Sequence, residues 1–370
     1  MHRYVAGIDI GYGWTKILSS AAGAPLVYPT VIGDPNRDLI VVDGAGAGLR
    51  EVSLRRLAVR TEHGLHFIGE LALAECDAST IRTAAQIVDR VQDVDFAVLM
   101  SAALGLALGP SRAGSLVVVT GLPLTVYRHE RASLQDRLTA RHTLTFVDPA
   151  SGETLRSSVV EVAATLVVPQ PMGAFAATLL DEGGAVREPD LLKARVAVLD
   201  IGFGTTDLLV LRPGGDVDSR ASANIPGGVR NLVHRLQRDL QADPTFRRLQ
   251  PAQMHLHELE PALREYLLPG LRQDRPEAAQ LRRIVDRIKT DAAHTMAQRL
   301  ESHLGGSQQP DIILLAGGGS ALLGDVLVRA VESAFPLATV TLAEDPQQAN
   351  TRGFYRLARQ LAARRGLSVA

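Results

Sequence analysis

A glycine-containing turn between two apolar runs occurs twice in this sequence, and this repeat constrains the fold more than any other feature. The first copy is YVAGIDIGYGWTKIL at residues 4–18, and the second is RVAVLDIGFGTTDLLVL at residues 195–211. Each copy reads Asp-Ile-Gly-aromatic-Gly, then a threonine and a second β-prone run, so each predicts a β-hairpin. Two copies in one register, about half a chain apart, indicate a duplicated fold whose halves face a shared nucleotide.

The turns themselves indicate phosphate binding. Glycines allow backbone dihedrals that are closed to other residues, so main-chain N–H groups can crowd around an anion. Asp200, at the end of a buried strand, can hold a hydrated cation, and Asp9 corresponds to it in the first copy. A dinucleotide or P-loop turn would lead into a helix and carry GxGxxG or GxxxxGK[ST], and neither pattern is present.

Composition narrows the class of protein. The 370 residues are 46% hydrophobic, which is enough for two cores, and the formal net charge of −1 gives no field that would draw the chain to nucleic acid or an anionic membrane. A single cysteine, Cys76, excludes a disulfide framework and a cysteine-based metal site. With no signal-like N-terminus and no apolar run long enough for a bilayer, we expect a soluble, cytoplasmic, two-domain protein.

The remaining pattern alternates strands and helices. Gln170 lies between Pro169 and Pro171, at a predicted strand-to-helix corner. The first half predicts a small inserted subdomain over about 26–75, helices at 79–108, 126–140 and from 172, and strands at 116–120 and within 143–168. The second half predicts helices at 229–241, 277–303, 321–334 and 353–365, strands at 311–315 and 338–342, and a phosphate- or base-approaching glycine turn at 316–320.

The order of these motifs resembles the actin-like ATPase superfamily over the whole chain. Residues 9–16 and 200–207 look like its two phosphate loops, 312–320 its adenosine motif, and the segments near 169–174 and 345–354 its two interdomain connectors. The resemblance implies an α/β, ribonuclease H-like duplicated two-domain fold with the nucleotide in the interdomain cleft. Domain I would be 1–169 plus 346–370, and domain II 170–345. Thr120–Pro123, Phe67–Ala72 and Pro169–Ala174 look most like the bacterial and archaeal ParM and StbA-type proteins.

The resemblance also implies roles for individual residues around ATP or ADP and Mg²⁺. Asp9 and Asp200 would hold Mg²⁺ through its waters, and Lys16 would neutralise phosphate charge. Gln170 would orient the attacking water, where ParM and MreB-like proteins carry Glu. The residues expected to bind nucleotide are Gly11, Tyr12, Gly13, Trp14, Thr15, Lys16, Gly202, Phe203, Gly204, Thr205, Thr206, Gly227, Gly228, Lys289, Gly317, Gly318 and Gly319.

Three residues in the two loops depart from or extend this pattern. Tyr12 stands where actin has a small hydroxyl residue. The contact of this position with the γ-phosphate would therefore come from the backbone. Trp14, the only tryptophan, is expected in the core, with packing in the cleft as the alternative. Asp207 is either a further group at the metal or a structural partner within its hairpin.

The leading function implied by the resemblance is a slow ATPase that polymerises into filaments. Its use would be plasmid DNA segregation through a DNA-bound adaptor, or cytoskeletal positioning. One alternative is a non-filamentous ATP-binding adaptor of the same fold, and a weaker one is a small-molecule kinase, which would need a base Asp beside Gln170. The sequence shows no direct nucleic-acid motif, because the Arg-rich 230–300 region also carries many acids. It does not decide between ATP and GTP, nor fix the filament architecture.

Overall fold

The computed structural model describes residues 2–35, 51–77, 79–84, 91–254, 256–305 and 309–370. The chain forms two compact units, one of residues 1–188 with 350–370 and one of residues 189–349. Residues 170–188, which the domain bounds implied by the resemblance put in domain II, fall within the first unit. None of the helices within the described residues is long and apolar enough to cross a membrane.

The first unit is built on one ten-stranded mixed sheet. Strand β1 is antiparallel to β2 and parallel to β8, and β10 continues the parallel part. The order is β3-β2-β1-β8-β10-β9-β5-β6-β4-β7. The strands are β1 Arg3–Ile10, β2 Trp14–Ser19, β3 Leu26–Pro29, β4 Val31–Gly33, β5 Leu57–Thr61, β6 Gly64–Ile68, β7 Arg82–Thr83, β8 Ala113–Leu122, β9 His142–Val147 and β10 Thr154–Pro169.

Helices cover both faces of this sheet. Helix α2 is apolar on nearly all sides and is buried, and it begins where Asp93 accepts a hydrogen bond from the Phe96 N–H at 3.0 Å. The helices of this unit are α1 Glu70–Glu75, α2 Val94–Ala107, α3 Leu124–Thr139 and α4 Met172–Leu179, with α9 Ala349–Arg364 returning at the end of the chain. Helices α4 and α9 touch at two glycines, because a Cβ on Gly353 would lie 1.7 Å from the Gly173 carbonyl oxygen.

The second unit has a five-stranded sheet of order β13-β12-β11-β14-β15, covered by helices. Strand β11 is antiparallel to β12 and parallel to β14, which repeats the pairing of β1 with β2 and β8. The elements are β11 Val196–Ile201, β12 Thr206–Leu211, β13 Ala223–Ile225, α5 Val229–Ala242, α6 Leu256–Glu265, α7 Pro276–Leu304, β14 Ile312–Ala316, α8 Gly317–Ala334 and β15 Thr339–Leu342. The duplication inferred from the sequence is therefore confirmed in the backbone pairing.

Two expectations about local structure, on a helix and on a glycine turn, were wrong. The helix predicted over 79–108 begins only at Val94, because Asp93 caps it, and β7 occupies part of its expected first turns; residues 85–90 lie outside the described residues. In the described part of the predicted insert over 26–75, β5 pairs with β9 and so extends the main sheet; residues 36–50 of this range lie outside the described residues. The glycines expected in a turn before a helix at 321 form the first turn of α8 itself, which has a kink at Gly324.

Candidate nucleotide-binding site

Both glycine turns close in the same way. The N–H of Gly11 donates to the Trp14 carbonyl at 3.1 Å, and the N–H of Gly202 donates to the Thr205 carbonyl at 2.8 Å. At each of these two glycines a Cβ would lie 3.0 Å from the carbonyl oxygen that accepts the bond. The two turns are thus built alike, as the spacing predicted, and glycine is favoured at the start of each by the tight closure.

In the first unit, the side chains of Lys16 and Gln170 converge on one carboxylate, that of Asp9. Asp9, at the end of β1, is 1% exposed. Its Oδ2 accepts from Lys16 Nζ at 3.1 Å, and its Oδ1 accepts from Gln170 Nε2 at 2.7 Å. Lys16 is placed by register, since it pairs directly with Asp9 across β1 and β2. Gln170 is placed by the end of β10, where its N–H donates to the Leu122 carbonyl at 2.8 Å.

This arrangement fixes the orientation of the Gln170 amide. Because the Nε2 group donates to Asp9, the Oε1 atom remains as an acceptor. An amide cannot take a proton, so the group can orient a water molecule but cannot serve as a base. Lys16 forms an ion pair with Asp9 even without a ligand. The buried carboxylate therefore has a partner of opposite charge.

The second hairpin has the same register but different charges. Asp200 and Asp207 pair directly across β11 and β12, and they are 6% and 2% exposed. Asp207 Oδ1 accepts from Asn224 Nδ2 at 3.0 Å, and the same amide donates to the Thr206 carbonyl at 3.2 Å. Two acidic side chains thus face each other on one side of the sheet where the first hairpin has an acid and a base.

The amides of the second turn are available for an anion. Its carbonyls are bound by the start of α5, since Val229 N–H donates to Gly202 O at 3.0 Å and Arg230 N–H to Phe203 O at 2.9 Å. The N–H groups of residues 203–205 form no hydrogen bond to another described residue. Gly228 makes this packing possible, because a Cβ there would lie 2.8 Å from the Phe203 carbonyl oxygen. The turn therefore presents three main-chain donors, as phosphate binding requires.

The threonines of the turns serve the protein rather than a ligand. The Thr15 hydroxyl lies 2.9 Å from the Thr30 hydroxyl, and the Thr206 hydroxyl donates to the Gly227 carbonyl at 2.7 Å. Both threonines are fully buried. We interpret these two hydroxyls as supports of the turns, which leaves Thr205 as the threonine nearest to solvent in the second turn. Trp14, expected in the core, is half-buried in β2 opposite Pro29.

The three glycines at the start of α8 differ in role. Gly317 has φ +86°, and a Cβ there would lie 2.2 Å from Asp200 Oδ1. A Cβ on Gly319 would lie 2.2 Å from a methyl of Ile201. These two glycines let α8 approach the end of β11. Gly318 faces the other way, toward the guanidinium of Arg264, whose Nη2 would be 3.2 Å from a Cβ at this position.

A cluster beside Gly318 contains residues that no sequence motif indicated. Arg264, on α6, is held by Glu260 through two hydrogen bonds of 2.9 and 2.8 Å, and it reaches the Gly318 carbonyl at 3.4 Å. Tyr266 has φ +58° and donates its hydroxyl to Asp286 at 2.7 Å. Lys289, which the resemblance did indicate, places its Nζ 4.9 Å from the centre of the Tyr266 ring.

Burial lowers the pKa of Lys289, and the neighbouring Arg264 adds to this effect while Asp286 opposes it. The hydrogen bond to Asp286 raises the pKa of Tyr266. The cluster therefore offers a cationic guanidinium and ammonium next to a half-buried aromatic ring. Such groups suit the base and sugar of a nucleotide, because they supply donors and a stacking surface.

The donor groups fit a hydrated divalent cation. Asp200 lies at the end of β11, and the missing side chain of Gly317 leaves room at its Oδ1 atom. Among the described residues, no three His, Cys, Asp or Glu side chains converge to hold an ion by themselves. An ion held here would keep most of its water ligands, which is the usual behaviour of Mg²⁺.

Comparison with known proteins agrees with this geometry. The family profile described as the N-terminal domain of actin-like proteins matches residues 7–173, and that of the C-terminal part of the MreB-like archaeal actin homologue matches residues 198–329. Among curated proteins, none matches this chain significantly.

Solved structures resemble this chain over its whole length at low sequence identity. Apo pSK41 ParM has a TM-score of 0.69 at 17% identity and covers 98% of this chain and 99% of its own. An archaeal actin homologue in complex with ADP has 0.68 at 20% identity, covering 98% and 100%. A 15-stranded ParM filament from Clostridium botulinum has 0.69 at 20% identity, covering 97% and 100%. These structures share the fold.

Proposed function

Because the chain belongs to the actin-like superfamily, we propose that it binds and hydrolyses Mg-ATP with residues of its two hairpins. The observation that carries this proposal is the convergence of Lys16 and Gln170 on Asp9 at the first glycine turn. The matched turn at 202–205, with its three unbonded amides, supplies phosphate donors of the same kind. An archaeal homologue of the same fold in complex with ADP supports nucleotide binding.

Each group has a distinct part in the proposed reaction. The amides of 203–205 bind phosphate oxygens from the second hairpin, and Lys16 supplies positive charge for phosphate from the first. Asp9 and Asp200 would hold a hydrated Mg²⁺, which when bound would neutralise charge on the β- and γ-phosphates. Gln170 accepts a hydrogen bond from the attacking water through Oε1 and orients it. Since phosphoryl transfer proceeds through a loose transition state, positioning without a base is sufficient for slow turnover.

We further propose that the chain assembles into filaments and that ATP controls the assembly. Structural likeness to a ParM filament and to the Alp12 filament supports self-assembly. A head-to-tail contact that does not close gives an open polymer. Segregation of plasmid DNA through a DNA-bound adaptor is the use we favour, and a cytoplasmic location goes with it.

The test of hydrolysis is the variant Gln170→Ala. We expect Mg-ATP to bind with little change, as measured by isothermal titration calorimetry, while phosphate release falls by roughly tenfold or more. Asp200→Ala should lose both binding and turnover. Gln253→Ala, which removes an exposed glutamine of the second unit, is the matched control and should behave as the wild type. Unchanged phosphate release in Gln170→Ala would remove this residue from the mechanism.

A further inference from the structure

A long groove lies between α5 and the C-terminal half of α7. Gly227 and Gly228, which are among the residues expected to bind nucleotide, line it, but none of the residues given a role in the proposed reaction does. The groove has a volume of about 670 Å³ and continues into a second depression of about 370 Å³ along α7. The two share Pro226, Thr295 and Arg299. We call this feature the basic groove. Neither Lys289 nor the glycines at 317–319 line it, so it is distinct from the cluster beside Gly318.

The charges along the groove have one sign. Its lining side chains include no aspartate or glutamate, and its cationic or titratable members are Arg235, Arg238, Arg299, His234 and His303. Arg235 is paired from outside the groove with Asp291 at 2.5 Å. Arg238 and Arg299 form no ion pair with any described residue. The groove therefore keeps unneutralised positive charge, although the whole chain has a net charge of −1.

The floor of the groove is apolar. Leu232 is half-buried on α5, and Met296 and Leu323 lie below it with small exposed fractions. The α5 wall runs from Asn231 to Gln241, which at about 1.5 Å per residue is roughly 15 Å, or close to three helical turns. An apolar floor between cationic walls of this length suits a helix with one apolar face and acidic flanks.

We propose that the basic groove is a docking site for an acidic amphipathic helix of a partner protein. Charge complementarity selects acidic flanks, because every charged side chain of the lining is basic. The apolar floor selects a protein segment over nucleic acid, since phosphates would pair with the arginines and leave Leu232 uncovered. The basic walls and the apolar floor together define the partner as a helix with acidic flanks and one apolar face.

The groove is joined to the second glycine turn. Arg299 donates through Nη1 to the Pro226 carbonyl. The next residue, Gly227, has φ +112°, and a Cβ there would lie 3.2 Å from the same nitrogen. The Gly227 carbonyl in turn accepts from Thr206 at 2.7 Å. A helix that engages Arg299 therefore touches the support of the turn. The inference that docking alters nucleotide affinity rests on the proposed function, and docking itself does not.

Fluorescence anisotropy tests docking on the full chain without nucleotide. The probe is a labelled helical peptide of about 18 residues, five turns, with leucine on one face and glutamate on the others. A second peptide has the same composition in an order that destroys the apolar face, and a single-stranded oligonucleotide serves as the third probe. The variant is Arg238→Glu with Arg299→Glu, and its matched control is Arg248→Glu with Arg329→Glu, two exposed arginines outside the groove.

We expect the amphipathic peptide to bind, the groove variant to bind it roughly tenfold more weakly or worse, and the control to match the wild type. Leu232→Ser should weaken the amphipathic peptide and leave the shuffled one unchanged. Equal binding of both peptides, preferential binding of the oligonucleotide, or unchanged binding by the groove variant would overturn the proposal. A change of oligomeric state in the groove variant alone, seen by sedimentation velocity, would instead assign the groove to a second copy. These docking results would be interpreted in the same way if the chain failed to bind ATP.

Discussion

Lys16 and Asp207 occupy equivalent positions in the two hairpins and carry opposite charges. Lys16 pairs in register with Asp9, and Asp207 pairs in register with Asp200. The first hairpin thereby neutralises its own buried aspartate, with an ion pair at 3.1 Å. In the second, two carboxyl groups face each other, an arrangement that disfavours the strand pair unless a cation or a hydrogen bond offsets it. The two hairpins thus share the same backbone pairing but differ in the charges at equivalent positions.

Removal of the Lys16 ammonium should destabilise the first unit. Lys16→Ala leaves Asp9, at 1% exposure, with Gln170 but without its ion-pair partner, so we expect a loss of about 2 kcal/mol in the free energy of unfolding. Urea denaturation at pH 7 measures it. Lys193→Ala is the matched control, because its pair with Asp190 is fully on the surface and should give no measurable change. Equal stability of the two variants would contradict a structural role for the Lys16 pair.

Neutralising Asp207 should raise the free energy of unfolding, whereas Lys16→Ala should lower it. Asp207→Asn keeps the size of the side chain and removes one of the two facing acids, so we expect the nucleotide-free chain to gain up to about 1 kcal/mol in the absence of divalent ions. Thermal unfolding in EDTA at pH 8 measures the gain. Asp216→Asn, an exposed position just after the same hairpin, should leave the melting temperature unchanged. A clear loss of stability in Asp207→Asn would show that its hydrogen bonds outweigh the repulsion.

Alanine substitutions at three glycines of α8 should lower the stability of the protein to different extents. Gly317→Ala combines a left-handed backbone at φ +86° with a Cβ 2.2 Å from the Asp200 carboxylate, so we expect a loss of about 2–4 kcal/mol and loss of nucleotide binding. Gly324→Ala has a positive φ but open space around it, and about 1 kcal/mol is expected. Gly318→Ala should be the mildest, since its nearest neighbour is the end of the long Arg264 side chain at 3.2 Å, which needs to shift by only a few tenths of an ångström. Chemical denaturation ranks the three, and a Gly317→Ala variant as stable as Gly318→Ala would disprove the close approach.

The lysines permit a direct check of the cluster beside Gly318. The only lysines in the sequence are Lys16, Lys193 and Lys289, so ¹³C-dimethylated protein gives three lysine NMR signals besides that of the N-terminal amine. Burial lowers the pKa of Lys289, and the hydrogen bond from Lys193 to Asp190 raises the pKa of Lys193. As pH rises, the Lys289 signal should therefore titrate before that of Lys193. Asp286→Asn should lower the Lys289 pKa further, and the reverse order of titration would place Lys289 in solvent.

Most of the elements around the site could be predicted from the sequence, because each is determined by residues that are close together in the chain. Spacing of glycines and β-prone runs predicted both hairpins, and the prolines around Gln170 predicted its place at the end of a strand. These features need no knowledge of the rest of the chain.

The parts that were missed depend on packing between distant elements. Arg264 reaches the start of α8, and Tyr266 reaches Asp286 on α7, only because α6 packs beside α7. A helix rich in Arg and Glu gives no sign of which residues turn inward. The same holds for the threonines, whose hydroxyls looked like phosphate donors in sequence but bond to neighbouring strands and turns. The start of α8 at Gly317 also depends on its contact with β11, since glycine-rich segments more often form turns.

The most direct test of the proposed function is sedimentation of the purified chain with Mg-ATP, with Mg-ADP and without nucleotide, over a wide range of protein concentration. Released phosphate is measured in the same samples. We predict that Mg-ATP produces sedimenting polymer above a critical concentration, that phosphate release follows it, and that ADP or no nucleotide leaves the chain in the supernatant. A chain that binds ATP yet stays in the supernatant at every concentration would contradict assembly and favour a non-filamentous ATP-binding adaptor.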